Sequence, residues 1–174
     1  MNENNHLPFA GRRDVDCDNN TIHMDIRQGQ FCQWLGKDRP SPEYDYVQGR
    51  LTGITFRKCE SASGETIFMD MHFVNGKSRF EVSALASSSI SAELVARLAN
   101  IRDFSSTIRI DVWLKDSFTN CSVRENGQKV PFRVLPKVER RQEGFKTILD
   151  TVERDTAVQV MVDEINTRLA DAKM

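Results

Sequence analysis

Thr66-Ile-Phe-Met-Asp-Met-His-Phe-Val-Asn-Gly-Lys-Ser-Arg-Phe-Glu-Val-Ser-Ala84 is the stretch on which the fold turns. Ile67, Met69, Met71 and Phe73 recur at every second position, the period of a strand that buries one face. Asn75-Gly76 follows, a pair that accepts the left-handed backbone of a two-residue type I′ turn. Phe80 and Val82 then resume the alternation. Residues 66–74 and 77–84 therefore read as two strands of one hairpin.

The same reading extends in both directions. Upstream, residues 46–57 form a strand in which Val47 and Leu51 share one parity and Ile54 and Phe56 the other. A parity switch beside Gly53 indicates a bulge, because glycine tolerates the kinked backbone that re-aims a strand. Downstream, Ser87-Ser-Ser-Ile-Ser91 supplies helix N-cap candidates, and Leu94, Val95, Leu98 and Ile101 make one apolar helical face with Asn100 as its stop. Residues 107–115 then alternate cleanly through Ile108, Ile110, Val112 and Leu114. Asp116-Ser117 turns the chain into a strand at 118–124, and Asn126-Gly127 turns it again into 130–134, which Pro131 restricts to an edge. Strand-strand-strand-helix-strand-strand is the order of the oligonucleotide/oligosaccharide-binding (OB) fold. The expectation is a mainly β protein: a five-stranded OB-type Greek-key barrel over residues 44–137, with an internal helix after its third strand.

The flanks read differently. Residues 1–43 are rich in Asn, Asp and Gln and end in Lys37-Asp-Arg-Pro-Ser-Pro42, so they read as an arm or linker. Within them residues 26–35, with Phe31 and Trp34, are a short strand or a docking turn. Residues 138–174 read as a helical extension. Phe145, Ile148, Leu149 and Val152 suggest a short helix, and Val158, Met161, Val162, Ile165 and Leu169 mark an amphipathic one. That face either packs onto the barrel or docks a second copy or partner.

Composition narrows the function classes. With 174 residues, 39% apolar and 28% charged, the chain can bury a core without disulfides or metals. No apolar run approaches the roughly 18 residues that span a bilayer, and the polar start Met1-Asn-Glu-Asn-Asn-His6 has no signal-peptide core, so a cytoplasmic protein is expected. Cys17, Cys32, Cys59 and Cys121 are scattered, as are His6, His23 and His72, so neither a metal site nor a redox pair is expected. No nucleophile elbow, phosphate-cradling glycine loop or H-E-x-x-H is present. A non-catalytic protein without cofactor follows as an expectation. Residues 44–137 carry 13 Lys/Arg against 10 Asp/Glu, whereas the flanks carry 5 against 7 and 6 against 8. The basic middle suits a binding surface.

If the inward parities hold, Phe68 and His72 face outward on the second strand, Arg79 on the third with Lys77 at its start, and Arg57 on the first with Lys58 just beyond. Rings beside cations are what single-stranded nucleic acid requires, stacking for bases and charge for phosphates. The same residues also fit an ordinary solvated or covered sheet face. Trp113 lies out of phase with the buried residues of its strand, where it either stacks a base or anchors the terminal helix. Lys115 and Phe118 flank the following turn, a loop position that grips ligand in OB barrels.

The segments Tyr46-Val-Gln-Gly-Arg-Leu-Thr-Gly-Ile-Thr-Phe56, Asn75-Gly76, Ile108-Arg-Ile-Asp-Val-Trp113 and Val123-Arg-Glu-Asn-Gly127 together resemble OB-fold single-stranded DNA-binding proteins, in the style of phage and Bacteroidetes mobile-element versions. The resemblance implies sequence-tolerant coating and protection of single-stranded DNA, or RNA, during replication or recombination, in a bacterial or phage-infected cell. It implies no catalysis and no metal. It does not extend to the acidic, hydrophobic-tipped tail of the bacterial proteins, since residues 163–174 read as helix. The alternative is a structural or assembly protein, of a phage particle or multi-subunit complex, that uses barrel and C-terminal helix for homo-oligomer or protein contacts. Neither reading involves a membrane.

Overall fold

The computed structural model describes residues 21–35, 42–62 and 64–172. Three strands of residues 21–44 come first: β1 (Thr21–Arg27), β2 (Gln30–Gln33) and β3 (Glu43–Tyr44). Then follow β4 (Tyr46–Ser61), β5 (Gly64–Asn75), β6 (Ser78–Leu85), α1 (Ser89–Leu98), β7 (Ile108–Lys115), β8 (Phe118–Glu125) and β9 (Gln128–Lys129). A separate hairpin, β10 (Glu139–Glu143) and β11 (Lys146–Asp150), precedes the long helix α2 (Val152–Asp171).

The strand-strand-strand-helix-strand-strand order is present as β4-β5-β6-α1-β7-β8, but the five-stranded barrel is corrected to a nine-stranded sheet of order β3-β2-β1-β6-β5-β4-β7-β8-β9. Among the described residues no ladder joins β6 to β8. The edge of β6 pairs instead with β1, in parallel, from Thr21 opposite Arg79 to Asp25 opposite Ser83. Residues 21–33 are thus sheet rather than arm. The reason is legible in Ile22, Met24 and Ile26, which pack against the core from alternate positions of β1. The remainder of that arm, residues 1–20 and 36–41, lies outside the described residues.

The long β4 serves two neighbours. Its first half, Tyr46 to Gly49, pairs with β7, and the register to β5 shifts between Leu51 and Gly53. That is where the parity switch places a bulge. Beyond it the main chain of Ile54 is taken up by a side chain of α2. Asn166 accepts from the Ile54 N–H at 3.0 Å and donates to the Ile54 carbonyl at 2.8 Å.

The core lies between the inner sheet face and the two helices. Met69, Met71, Phe73, Phe80 and Val82 from β5 and β6 meet Ile108, Ile110 and Val123 from β7 and β8, together with Leu94, Val95 and Leu98 of α1. Phe73 and Phe80, directly opposite each other, stack with ring centroids 5.0 Å apart. Ile67, counted with the inward set by parity, is exposed where the hairpin runs past the core. The helix α1 starts as its serines suggest, with the Ser88 hydroxyl accepting from the Ser91 N–H. The apolar face of α2, Val158, Met161, Val162, Ile165 and Leu169, is buried against α1 and β4. The same helix reaches back with Arg168, which donates to the carbonyl of Ala99 at 3.1 Å.

Three local expectations change. The β5–β6 turn is centred on Gly76-Lys77, because Asn75 pairs with Ser78 and only Gly76 takes a positive φ. Pro131 ends the last strand altogether, so β9 covers only Gln128–Lys129. Phe145, Ile148 and Leu149 belong to the β10–β11 hairpin rather than to a short helix, since Gly144 at φ +62° reverses the chain in their midst. Asn126-Gly127, by contrast, has both residues at positive φ, as a type I′ turn requires.

Candidate nucleic-acid interface

Two outer sheet faces hold the residues that the sequence singles out. The first belongs to β4, β5 and β6. Register places Arg57 opposite Phe68, and Asp70 opposite Ser83, which in turn faces Asp25 of β1. One rung further, His72 faces Glu81 and Glu81 faces His23. Pairing β1 onto β6 therefore extends this face by a further strand whose polar side chains lie alongside it.

The consequence is that the expected platform is closed. Phe68 is only 3% exposed, which corrects its assignment as an outward stacking ring. Arg57 lies over that ring, its guanidinium carbon 5.1 Å from the centroid. It donates through Nε to Oδ2 of the buried Asp70 at 2.8 Å and through Nη1 to the Cys59 sulfur at 2.7 Å. Burial opposes the Arg57 charge, but the hydrogen bond and the charge of Asp70 outweigh it and raise the pKa above its ordinary value. Such a guanidinium is committed to an internal carboxylate rather than to phosphate. His72 is held likewise, with Nδ1 3.2 Å from Oε2 of Glu81 and Nε2 2.8 Å from the Thr55 hydroxyl. Of the remaining residues on this side, Lys58 is exposed and pairs with Glu65 at 3.2 Å, and Lys77 and Arg79 are exposed at the β5–β6 hairpin end.

The second face, on the first half of β4 and on β7, β8 and β9, is open. Trp113 pairs with Asn120 and Lys115 with Phe118, and Trp113 and Phe118 are 41% and 70% exposed. The same side of the sheet carries Tyr46, opposite Asp111, and a cross-strand row of Gln48, Arg109, Arg124 and Lys129. The Arg109 guanidinium sits 3.9 Å from the Tyr46 ring centroid. Arg109 also donates to Asp111 at 2.6 Å, and Arg124 lies 3.6 Å from the same carboxylate. The hydrogen bond to Asp111 raises the Arg109 pKa, so its charge is held at any accessible pH. Arg109 and Arg124 wall a groove of about 580 Å³ that ends at Asn126-Gly127.

Three exposed rings and four cations thus share one sheet face with a single carboxylate, Asp111, tied among them. Of the residues singled out from sequence, the structure brings together Trp113, Lys115 and Phe118, and separates them from Arg57, Phe68 and His72. Tyr46, Arg109 and Arg124 were not among the sequence candidates. Their signal is the strict alternation of β7, which sends Arg109, Asp111, Trp113 and Lys115 to one side. The β4–β7 register then adds Tyr46.

The tip of this face meets the N-terminal hairpin. Gly29, at φ +78° in the β1–β2 turn, donates to the Thr119 hydroxyl at 3.2 Å. A Cβ there would lie 2.2 Å from the Leu114 nitrogen, so only glycine lets the two hairpins touch. Among the described residues no helix is long and apolar enough to cross a membrane.

No protein-family model matches the chain, and no curated protein does. Among solved structures it is similar to the solution NMR structure of an OB domain from Thermoplasma acidophilum. The two are 18% identical, with 53% of this chain and 79% of that chain covered, at a TM-score of 0.24. A likeness this slight carries no functional argument.

Proposed function

We propose that the chain is a non-catalytic, single-stranded nucleic-acid-binding protein and that it binds along the outer face of β4, β7 and β8. The unit β4-β5-β6-α1-β7-β8, with β7 returning to pair with β4, has the connectivity of an OB fold whose closing edge has been taken over by β1. Its open rings carry the reading: Trp113 and Phe118 stand exposed beside Arg124, Lys115 and Lys129, and Tyr46, about half exposed, has Arg109 over one side of its ring. Uncovered aromatics on a sheet present apolar area to water that a stacked base would remove, at roughly 1–3 kcal/mol per base. Stacking needs unpaired bases, which favours a single strand over a duplex. The cations would meet the phosphates, and binding would weaken with salt as counterions are released. Coating and protecting single-stranded DNA in replication or recombination is the role such sequence-tolerant binding serves.

A fluorescence titration with oligo-dT at low salt tests this, because Trp113 lies in the face. Quenching that saturates at micromolar or lower oligonucleotide, and recedes with salt, is the expected result. A flat signal up to saturating oligonucleotide overturns the proposal.

The β10–β11 hairpin supports a second reading, that of an assembly protein. Phe145 at its turn and Ile148 and Leu149 on its strand are exposed, and a lone hairpin is marginal in water. The contact would run through this hairpin, since the apolar face of α2 is already buried. Light scattering that finds a discrete oligomer indifferent to oligonucleotide supports this reading over the first.

A further inference from the structure

We infer that the chain forms a two-fold symmetric dimer by pairing β11 with β11 of a second copy, antiparallel and centred on Ile148. The inference rests on the hairpin contact of the second reading above and names its partner, its edge and its register. It does not depend on the strand-binding face.

Both strands of the hairpin are edges, because among the described residues β10 and β11 alone make up their sheet. Every residue of the two strands except Asp150 is exposed. Two strands by themselves are marginal in water, whereas three or more with an apolar face can be stable. An uncovered strand edge is also a ready template for another chain.

Charge decides which edge is used. β10 reads Glu139-Arg-Arg-Gln-Glu143. Paired with itself about Arg141, it sets Glu139 against Glu143 of the second copy and Arg141 against its own counterpart. Like charges directly opposite are destabilising. β11 reads Lys146-Thr-Ile-Leu-Asp150, and its charges are self-complementary. Paired about Ile148, Lys146 meets Asp150 of the second copy, and the symmetry axis repeats the match at the other end. Centring on Thr147 would set Lys146 against Ile148, and centring on Leu149 would set it against Val152, so neither matches the charges. Arg141 and the Val152 N–H already approach Asp150, at 3.5 and 3.3 Å. They do not saturate it, since a carboxylate accepts about four hydrogen bonds.

The main chain agrees with that register. Gly144, at φ +62°, and Phe145 make a two-residue turn between the paired Glu143 and Lys146. The closing pair of such a hairpin exchanges hydrogen bonds, and alternate residues turn theirs outward. Lys146, Ile148 and Asp150 therefore bond toward β10, while Thr147 and Leu149 address the open edge. Centring on Ile148 sets Thr147 opposite Leu149 of the second copy, so outward groups meet outward groups. Ile148 faces its counterpart as a non-hydrogen-bonded pair, the kind that brings side chains closer. Phe145 arrives beside Val152 of the second copy, and both of these apolar residues are exposed in the single chain.

Sedimentation of the full chain over a concentration series tests the pairing, since an interface this short is that of a transient complex. Wild type should rise from the mass of one chain, 19.9 kDa, to twice that mass. Lys146→Glu and Asp150→Lys should each stay monomeric, with circular dichroism checking the fold. An equimolar mixture of the two should recover the dimer, because the acidic strand of one variant then faces the basic strand of the other. Ile148→Cys brings two thiols within disulfide reach at the axis. It should crosslink on mild oxidation beyond the level of wild type, a readout that stands even where a charge variant fails to fold. A monomer at the highest soluble concentration overturns both the pairing and the assembly reading. An oligomer that survives in both charge variants, or one larger than a dimer, overturns the pairing and leaves the assembly reading. A mixture that stays monomeric, or Ile148→Cys that crosslinks no more than wild type, also overturns the pairing.

Discussion

Arg57 and Asp70 form a diagonal ion pair across β4 and β5, Nε to Oδ2 at 2.8 Å, with the carboxylate 1% and the Arg57 side chain 23% exposed. Ser83 closes the arrangement by donating to the other carboxylate oxygen, Oδ1, at 2.6 Å. An Arg that looks like a phosphate contact in sequence is thus part of the protein's interior. Removing one partner of a buried pair strands the other charge, at a cost of about 3–5 kcal/mol. Arg57→Met strands the buried Asp70 carboxylate and should lower the urea-derived stability by that order while leaving oligonucleotide affinity unchanged, and Asp70→Ala should cost less, because Arg57 keeps part of its surface in water. A weakened affinity of a fully folded Arg57→Met protein would return the interface to β4–β6.

Phe118 carries the complementary prediction. At 70% exposure its ring contributes little to the core, and surface substitutions of this kind stay within about 0.5 kcal/mol of wild-type stability. Phe118→Ala should nonetheless weaken oligo-dT binding by about 1–3 kcal/mol, the cost of losing one stacked base. Arg124→Gln should act differently. It should flatten the dependence of log K on log salt by roughly 0.7, the share of one phosphate on a single strand. Isothermal titration at several salt concentrations separates the two effects.

The contrast between these faces shows what was readable from residues alone. The central strands were legible because Met69, Met71 and Phe73, like Ile108, Ile110 and Val112, repeat with period two between strong turn signals. Facing was half legible. Period two tells which residues share a side, but not whether another strand lies alongside that side. Phe68 and Trp113 look alike in sequence, each out of phase with a buried set. What divides them is β1, whose pairing to β6 encloses Phe68 and leaves Trp113 open. That parallel pairing joins residues more than fifty positions apart, and no local pattern encodes it. The β10–β11 hairpin is hidden in the sequence for a related reason. Its Ile148-Leu149 pair follows Phe145 at helical spacing, and Gly144 competes with that pattern as a turn.

Asn166 makes the attachment of α2 testable. Its amide completes both main-chain hydrogen bonds of Ile54, at the point where β4 has left its partner β7. Asn166→Leu leaves a donor and an acceptor unmet, which should cost about 1–3 kcal/mol for each group that water does not reach. Asn166→Asp restores only the bond from the Ile54 N–H, because a carboxylate cannot donate to the carbonyl. Its stability should fall between wild type and Asn166→Leu. Hydrogen exchange at the Ile54 amide should quicken in Asn166→Leu and stay protected in Asn166→Asp.

Asp25 sets a pH dependence of the opposite sign to that of a salt-bridged carboxylate. Desolvation by burial is the main cause that pushes its pKa up to about 6. The charges of Asp70 and Glu81 act in the same direction, and those of Arg27 and Arg57 act against it. In the unfolded chain the carboxyl titrates near its ordinary value of about 3.9. Between those two values the folded state holds a proton that the unfolded state has released, so stability falls as pH rises through that window. The contribution is fully present below about pH 4 and gone above about pH 6, and amounts to on the order of 1–3 kcal/mol. Asp25→Asn carries no titrating proton at this position. Its stability at pH 7 should therefore exceed that of wild type, and the difference should shrink as pH is lowered toward 4. Parallel urea melts of the two proteins at pH 4, 5, 6 and 7 measure this directly. A gap that stays constant across the series would mean that Asp25 ionises as freely in the fold as in water.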